Sequence, residues 1–137
     1  MRISKHVNLK ELTKSNTALR LGISNEPTDE HLENLKRVCN SVFEPLREYF
    51  DCPIGISSGY RSEALNKAVK GSLTSQHCKG EALDIDADIY GQITNKDIFE
   101  YIKDNLEFDQ LINEFSFSWV HVSFKKIGNR KQILTIK

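Results

Sequence analysis

Between Thr28 and Tyr49 the apolar residues Leu32, Leu35, Val38, Val42, Leu46 and Tyr49 recur every three or four positions. That spacing puts them on one face of an α-helix. Thr28 supplies an N-cap, and Asp29 and Glu30 place carboxylates in the first turn, where the helix dipole favours them. Pro45 lacks an amide proton, which predicts a kink or an early stop near the end of this helix. Shorter helices are predicted over Asn8–Ser15 and Ser62–Val69, and a short strand over Ile54–Ser58. From Ala82 to Ile89 the period changes to two: Leu83, Ile85, Ala87 and Ile89 alternate with Asp84, Asp86 and Asp88. This is the pattern of a half-buried strand. Thr94 caps a helix through Asn105, Phe108–Glu114 and Trp119–Phe124 read as strands, and Gln132–Ile136 reads as an edge. Helices and strands are segregated more than alternated, so the expected class is α+β, with a central antiparallel sheet flanked by helices.

Composition narrows the possible functions. At 137 residues, with no repeat or linker, the chain is expected to form a single domain over 1–137. Nineteen basic residues balance nineteen acidic ones, so the basic surplus that drives nucleic-acid binding is missing. No apolar run approaches the roughly 20 residues needed to span a bilayer, and no signal-peptide core follows the N-terminus. These features predict a monomer that is cytoplasmic as synthesised, with no nucleic-acid partner and no membrane insertion. Cys39, Cys52 and Cys78 are odd in number and form no CxxC pair, which fits free thiols. His6 and His31 read as surface residues, and Lys125, Lys126, Arg130 and Lys131 as a solvated basic end.

The chemistry concentrates in Ser75–Asp84. His77 and Asp84 would lie about 10 Å apart along a helix axis, and on opposite faces of a straight strand. Neither arrangement allows one ion to be held at bonds of roughly 2 Å. A chain reversal at Gly80, which tolerates positive φ, brings them together, and small Ala82 lets the strand return close to its own loop. In Trp119–Phe124, His121 alternates onto the polar face with Trp119 and Ser123. Two histidines and one aspartate leave a fourth position open, as in catalytic zinc sites. Asp86 and Asp88 read as solvated, or as supporting the ligands from behind. Glu114 falls on the face of His121 if the loop between the two strands has an even number of residues, and on the other face if it is odd. Trp119 reads equally well as core or as a wall of the site.

Ser58-Gly59-Tyr60-Arg61-Ser62 with Leu65-Asn66, then Ser75-x-His77-x-x-Gly80-x-Ala82-x-Asp84, then Trp119-Val-His121-Val-Ser123, occur in that order. Together they resemble the zinc D-Ala-D-Ala carboxypeptidase family, which includes peptidoglycan peptidases and phage endolysins and shares its fold with the hedgehog signalling domain. Leu9-x-Glu11-Leu12 and Thr17-Ala18-x-Arg20-x-Gly22-Ile23 resemble the lead-in of its small, single-domain bacterial and phage members. The resemblance implies Zn2+ held by His77, Asp84 and His121. It makes Arg61 the substrate and oxyanion contact, and Ser75 a substrate-lining residue beside Trp119. Many relatives carry the catalytic carboxylate three residues before the last histidine, where this chain has Ser118; Glu114 is the nearest acidic residue upstream and the candidate base. The implied activity is a zinc peptidase cutting the stem peptides of peptidoglycan, of carboxypeptidase or endopeptidase (endolysin) type. Such an enzyme, of bacterial or phage origin, would reach the cell wall after release. The alternative is a non-catalytic module of the same fold that binds cell wall or protein.

Overall fold

A computed structural model describes residues 1–137. The chain opens with a small antiparallel hairpin, β1 (Arg2–Ser4) and β2 (Val7–Asn8), followed by α1 (Leu9–Thr13) and α2 (Asn16–Leu21). The helix expected over Asn8–Ser15 is α1, and α2 is a further helix that the sequence pattern did not predict. Asn8 and Glu11 close a capping box on the first, and Ser15 starts the second by accepting from the Ala18 amide at 3.1 Å. The long amphipathic stretch forms α3 (Asp29–Val38), a π-helical turn (Cys39–Phe43) and α4 (Glu44–Phe50). Pro45 produces no early stop: the backbone stays helical through it, and its missing amide donor falls where the π-helical turn gives way to α4, a local distortion of the helix. Leu35, Val38, Val42 and Leu46 are buried, whereas Tyr49 lies at the rim and stacks on Tyr101 at 4.2 Å between ring centroids.

The remaining elements are β3 (Gly55–Ser58), α5 (Glu63–Ala68), β4 (Ala82–Asp86), α6 (Asn95–Asn105), β5 (Gln110–Glu114), β6 (Trp119–Ser123) and β7 (Gln132–Ile136). They build a five-stranded sheet in the order β3-β4-β6-β5-β7. β4 is shorter than expected: the Asp86 carboxylate accepts from the Asp88 amide at 3.0 Å and starts a 3-10 turn over Ala87–Ile89, which leaves Ile89 exposed. The sheet is antiparallel except at one edge, where β7 runs parallel to β5. β6 ends beside the start of β5, and the connection passes around that end, so β7 departs in the direction of β5.

Leu83 and Ile85 of β4, Leu111 of β5, and Val120 and Val122 of β6 join Val38, Phe43, Ile98 and Ile102 in one core. Each fully buried aliphatic side chain contributes about 1.5–3 kcal/mol, so a one-residue slip of any central strand is strongly disfavoured. The same register fixes the opposite face, which carries Asp84, Gln110, Ile112, Glu114, Trp119 and His121. No helix is long and apolar enough to cross a membrane.

Candidate active site

Asp84 and His121 sit directly opposite each other on β4 and β6, with Asp84 Oδ1 3.0 Å from His121 Nδ1. His77 arrives from a 3-10 turn, Gln76–Lys79, whose N-cap Ser75 accepts from the His77 amide at 3.2 Å. Gly80 then reverses the chain at φ +73°, as its place between His77 and Asp84 requires. A Cβ there would lie 2.5 Å from the His31 carbonyl oxygen, so glycine is needed for space as well as for conformation. His77 is 2% exposed, and its Nε2 lies 3.3 Å from Asp84 Oδ2. One donor atom from each of the three side chains falls within 4.8 Å of the others.

The protonation pattern fits a cation. His77 Nδ1 meets the Gly59 carbonyl at 2.5 Å, and a carbonyl only accepts, so Nδ1 carries the proton. In the neutral ring Nε2 is then an acceptor facing another acceptor, Asp84 Oδ2, and only a positive charge, a second proton or a metal ion, reconciles the two. Burial pushes the Asp84 carboxyl up. Hydrogen bonds and charge from His121 and His77 outweigh this and hold it well below the usual carboxylate range, so it is ionised as a ligand must be. Ligand atoms at roughly 2.0–2.1 Å around a tetrahedral ion are about 3.3 Å apart, close to the two contacts seen here. The carbonyl on the far nitrogen of His77 is the outer support that metal-bound histidines need. The residues therefore fit a zinc ion.

Glu114 reaches the same face. The β5–β6 loop is Phe115–Ser118, four residues, so Glu114 pairs with Trp119 and the even-loop expectation holds. The Trp119 indole donates to Glu114 Oε2 at 2.7 Å, a tether that alternation alone could not reveal. Trp119 is half-buried and lines the cleft, so it is a wall of the site rather than core. Ser118 is exposed in the turn, its hydroxyl donating to the Phe115 carbonyl at 2.6 Å.

These residues line a polar cleft of about 710 Å³ that also includes Arg61 and Ser75. The Arg61 amide donates to the His77 carbonyl at 3.1 Å, while its buried Nε has no partner. At the far end is a cluster that sequence reading missed. Asp109, fully buried, accepts from Arg130 Nε and Nη2 at 2.9 and 2.8 Å, from the Arg130 amide at 3.1 Å and from Gln76 Nε2 at 3.0 Å. Hydrogen bonding from Arg130 is the chief reason its carboxyl is held down to about 2. Arg130 is therefore exposed but anchored to Asp109 rather than free, and half-buried Lys125 also lines the cleft, while Lys126 and Lys131 are exposed as expected. Only the pairing with Asp109, which looks like ordinary strand-end polarity in the sequence, recruits that segment.

Other expectations change as well. Asp86 accepts from Asn95 Nδ2 at 3.1 Å as well as from the Asp88 amide, so it caps local structure rather than supporting the histidines. His6 pairs with Glu44 at 2.6 Å and His31 with the Tyr60 hydroxyl at 3.0 Å; both are half-buried rather than free on the surface. All three cysteines are free, and burial pushes the Cys78 thiol up, away from nucleophilic thiolate.

No curated protein matches the chain. Residues 5–123 match the family described as Peptidase M15, which accounts for most of the sequence and every residue of the His77–Asp84–His121 cluster. The chain belongs to the peptidase M15 family.

Proposed function

We propose that this protein is a zinc peptidase that hydrolyses peptide bonds in the stem peptides of peptidoglycan, as a carboxypeptidase or an endolysin-type endopeptidase. The observation that carries this reading is the His77–Asp84–His121 cluster, with Glu114 two strand positions away on the same face of an open polar cleft. His77, Asp84 and His121 would hold the ion, with Asp84 already ionised and the His77 tautomer set by Gly59. Zinc, when bound, polarises the scissile carbonyl and lowers the pKa of the attacking water towards 7. Glu114 is the carboxylate on this face that would take a proton from the attacking water and return it to the leaving amine. The Trp119 indole keeps the carboxylate aimed along the face. Arg61, fixed to His77 through its amide, offers the guanidinium that stabilises the developing oxyanion. Ser75 sets the His77 turn and lines the substrate end of the cleft.

The deciding experiment is mass spectrometry of muropeptides incubated with zinc-loaded protein. Wild type is expected to release amino acids or cleave cross-links. Glu114→Gln is expected to be slower by about 10²- to 10⁴-fold while still holding one zinc. Full turnover by Glu114→Gln would remove the base assignment, and zinc-loaded wild type without turnover would sink the enzyme reading.

A further inference from the structure

The segment after Ser123 lies beyond the residues that match the family, yet it closes one end of the cleft. The Lys125–Lys131 loop is built rather than loose. Asn129 clamps Lys125 from both sides, its Oδ1 accepting from the Lys125 amide at 2.8 Å and its Nδ2 donating to the Lys125 carbonyl at 3.0 Å. The Lys131 amide donates to the Phe108 carbonyl at 2.9 Å, and the Gln132 amide to the Asp109 carbonyl at 2.9 Å. Between these anchors, Arg130 points two of its nitrogens at buried Asp109. Its Nη1 has no partner, and its side chain is 53% exposed. The Lys125 ammonium makes no hydrogen bond or ion pair and also lines the cleft. Of the acidic groups in this cleft, Asp109 is engaged by Arg130 and Gln76, and Glu81, which accepts from the Gln76 amide at 3.4 Å, pairs with neither Lys125 nor Arg130.

The location gives this basic pair a role. The Asp109 amide donates to the Ser123 carbonyl at 2.8 Å, so the cluster stands beside Ser123, two residues from His121 along β6. That is about 7 Å at strand rise, or two residues of an extended peptide lying in the cleft. Glu114 and Trp119 are two residues from His121 in the opposite direction. We propose that Arg130 and Lys125 form an anion subsite that binds a free carboxylate on the substrate peptide, about two residues from the bond that is cut. The position of the cut bond rests on the peptidase reading above; the carboxylate preference does not. The subsite makes the enzyme selective for stem peptides whose acid group at that position is free rather than amidated. Buried Asp109 is the fixed post that keeps the guanidinium from swinging away, and its desolvation is offset by four hydrogen bonds.

The test uses zinc-loaded full-length protein and synthetic stem-type peptides in matched pairs. Within a pair, the residue two positions before or after the scissile bond carries either a carboxylate or a carboxamide. A charge-assisted contact predicts that wild type favours the acid by about tenfold in kcat/KM, mainly through KM. Arg130→Gln and Lys125→Ala are each expected to shrink that ratio to below about threefold. Lys125→Ala removes no intramolecular pair, so it reads the subsite even if Arg130→Gln unfolds by stranding Asp109. A wild-type ratio near one, or a ratio unchanged in Lys125→Ala, overturns the subsite. Calorimetric titration of the same peptides separates the two readings. Acid-selective binding that is lost in Lys125→Ala without any cleavage keeps the subsite and rejects the peptidase. Cleavage without acid selectivity in either assay does the reverse.

Discussion

Replacing Gly80 by alanine tests whether the chain reversal between His77 and Asp84 builds the site. Two costs can be separated. At φ +73° an L-residue loses about 1–2 kcal/mol, of which roughly 0.4–1 is returned because alanine restricts the unfolded chain. The second cost is contact. The new methyl would lie 2.5 Å from the His31 carbonyl oxygen, 3.1 Å from Leu35 Cγ and 3.2 Å from the His31 carbonyl carbon. Two of these atoms are helix backbone and cannot rotate away, so the turn or α3 must shift, at about 1–3 kcal/mol. Net of what alanine returns, the sum is about 1–5 kcal/mol. Gly91 is the control: its φ is +75°, but a Cβ there meets nothing within 4 Å, so Gly91→Ala carries the conformational cost alone. In urea, Gly80→Ala is expected to lower the unfolding midpoint by roughly 1–2 M and Gly91→Ala by less than about half that. Zinc affinity, measured against a chromophoric chelator, is expected to fall at least tenfold in Gly80→Ala only, because ligand atoms tolerate displacements of only about 0.2 Å. Equal midpoints and equal zinc affinities for the two variants would refute the claim that close packing on α3 holds His77 over Asp84.

Two further outcomes follow from the geometry. Trp119→Phe removes the 2.7 Å hydrogen bond to Glu114 while keeping an aromatic wall. It is expected to lower kcat about tenfold with KM and zinc content little changed, and to add no further loss on top of Glu114→Gln; additive losses would show that Trp119 acts independently of Glu114. For Asp109, whose folded pKa of about 2 lies below its ordinary 3.8, the stabilisation is complete above about pH 4 and disappears as pH falls towards 2. Urea midpoints of wild type are expected to fall more steeply over that window than those of Asp109→Asn, and parallel slopes would contradict the assignment.

What the sequence disclosed was whatever local chemistry determines. Thr28 and Thr94 cap helices because their hydroxyls reach amides three residues on, and both caps form as expected. Alternation placed Asp84 and His121 on a polar face because a strand has no other option, and Gly80 marked the reversal because few residues accept its φ. The features that escaped depend on partners distant in the chain. β7 looked like any edge strand, and its parallel direction is set by where β6 ends relative to β5. Arg130 looked solvated because its partner lies 21 residues earlier and becomes buried only when the sheet closes.

The position of Glu114 depended on a loop that carries no glycine, asparagine, aspartate or proline. Phe115, Ser116 and Phe117 all adopt positive φ, at +51°, +55° and +62°, with no glycine or asparagine among them. At about 1–2 kcal/mol each this strain totals roughly 3–6 kcal/mol, so surrounding contacts must hold the loop. Five hydrogen bonds at about 1 kcal/mol each offset it. The Phe115 amide donates to the Ile136 carbonyl at 2.8 Å and the Phe117 amide to Asn113 Oδ1 at 2.7 Å. The Ser118 amide and hydroxyl donate to the Glu114 and Phe115 carbonyls at 3.0 and 2.6 Å, and Asn95 Nδ2 donates to the Phe117 carbonyl at 2.9 Å. Asn95, itself buried, also accepts from the Ala87 amide at 2.7 Å and donates to Asp86 at 3.1 Å. One side chain thus ties the end of the strand that carries Asp84 to the turn that aims Glu114. β7, outside the residues that match the family, supplies the Ile136 carbonyl to the same turn, so the C-terminal segment supports the cleft at both ends: the candidate base at one, the basic pair at the other.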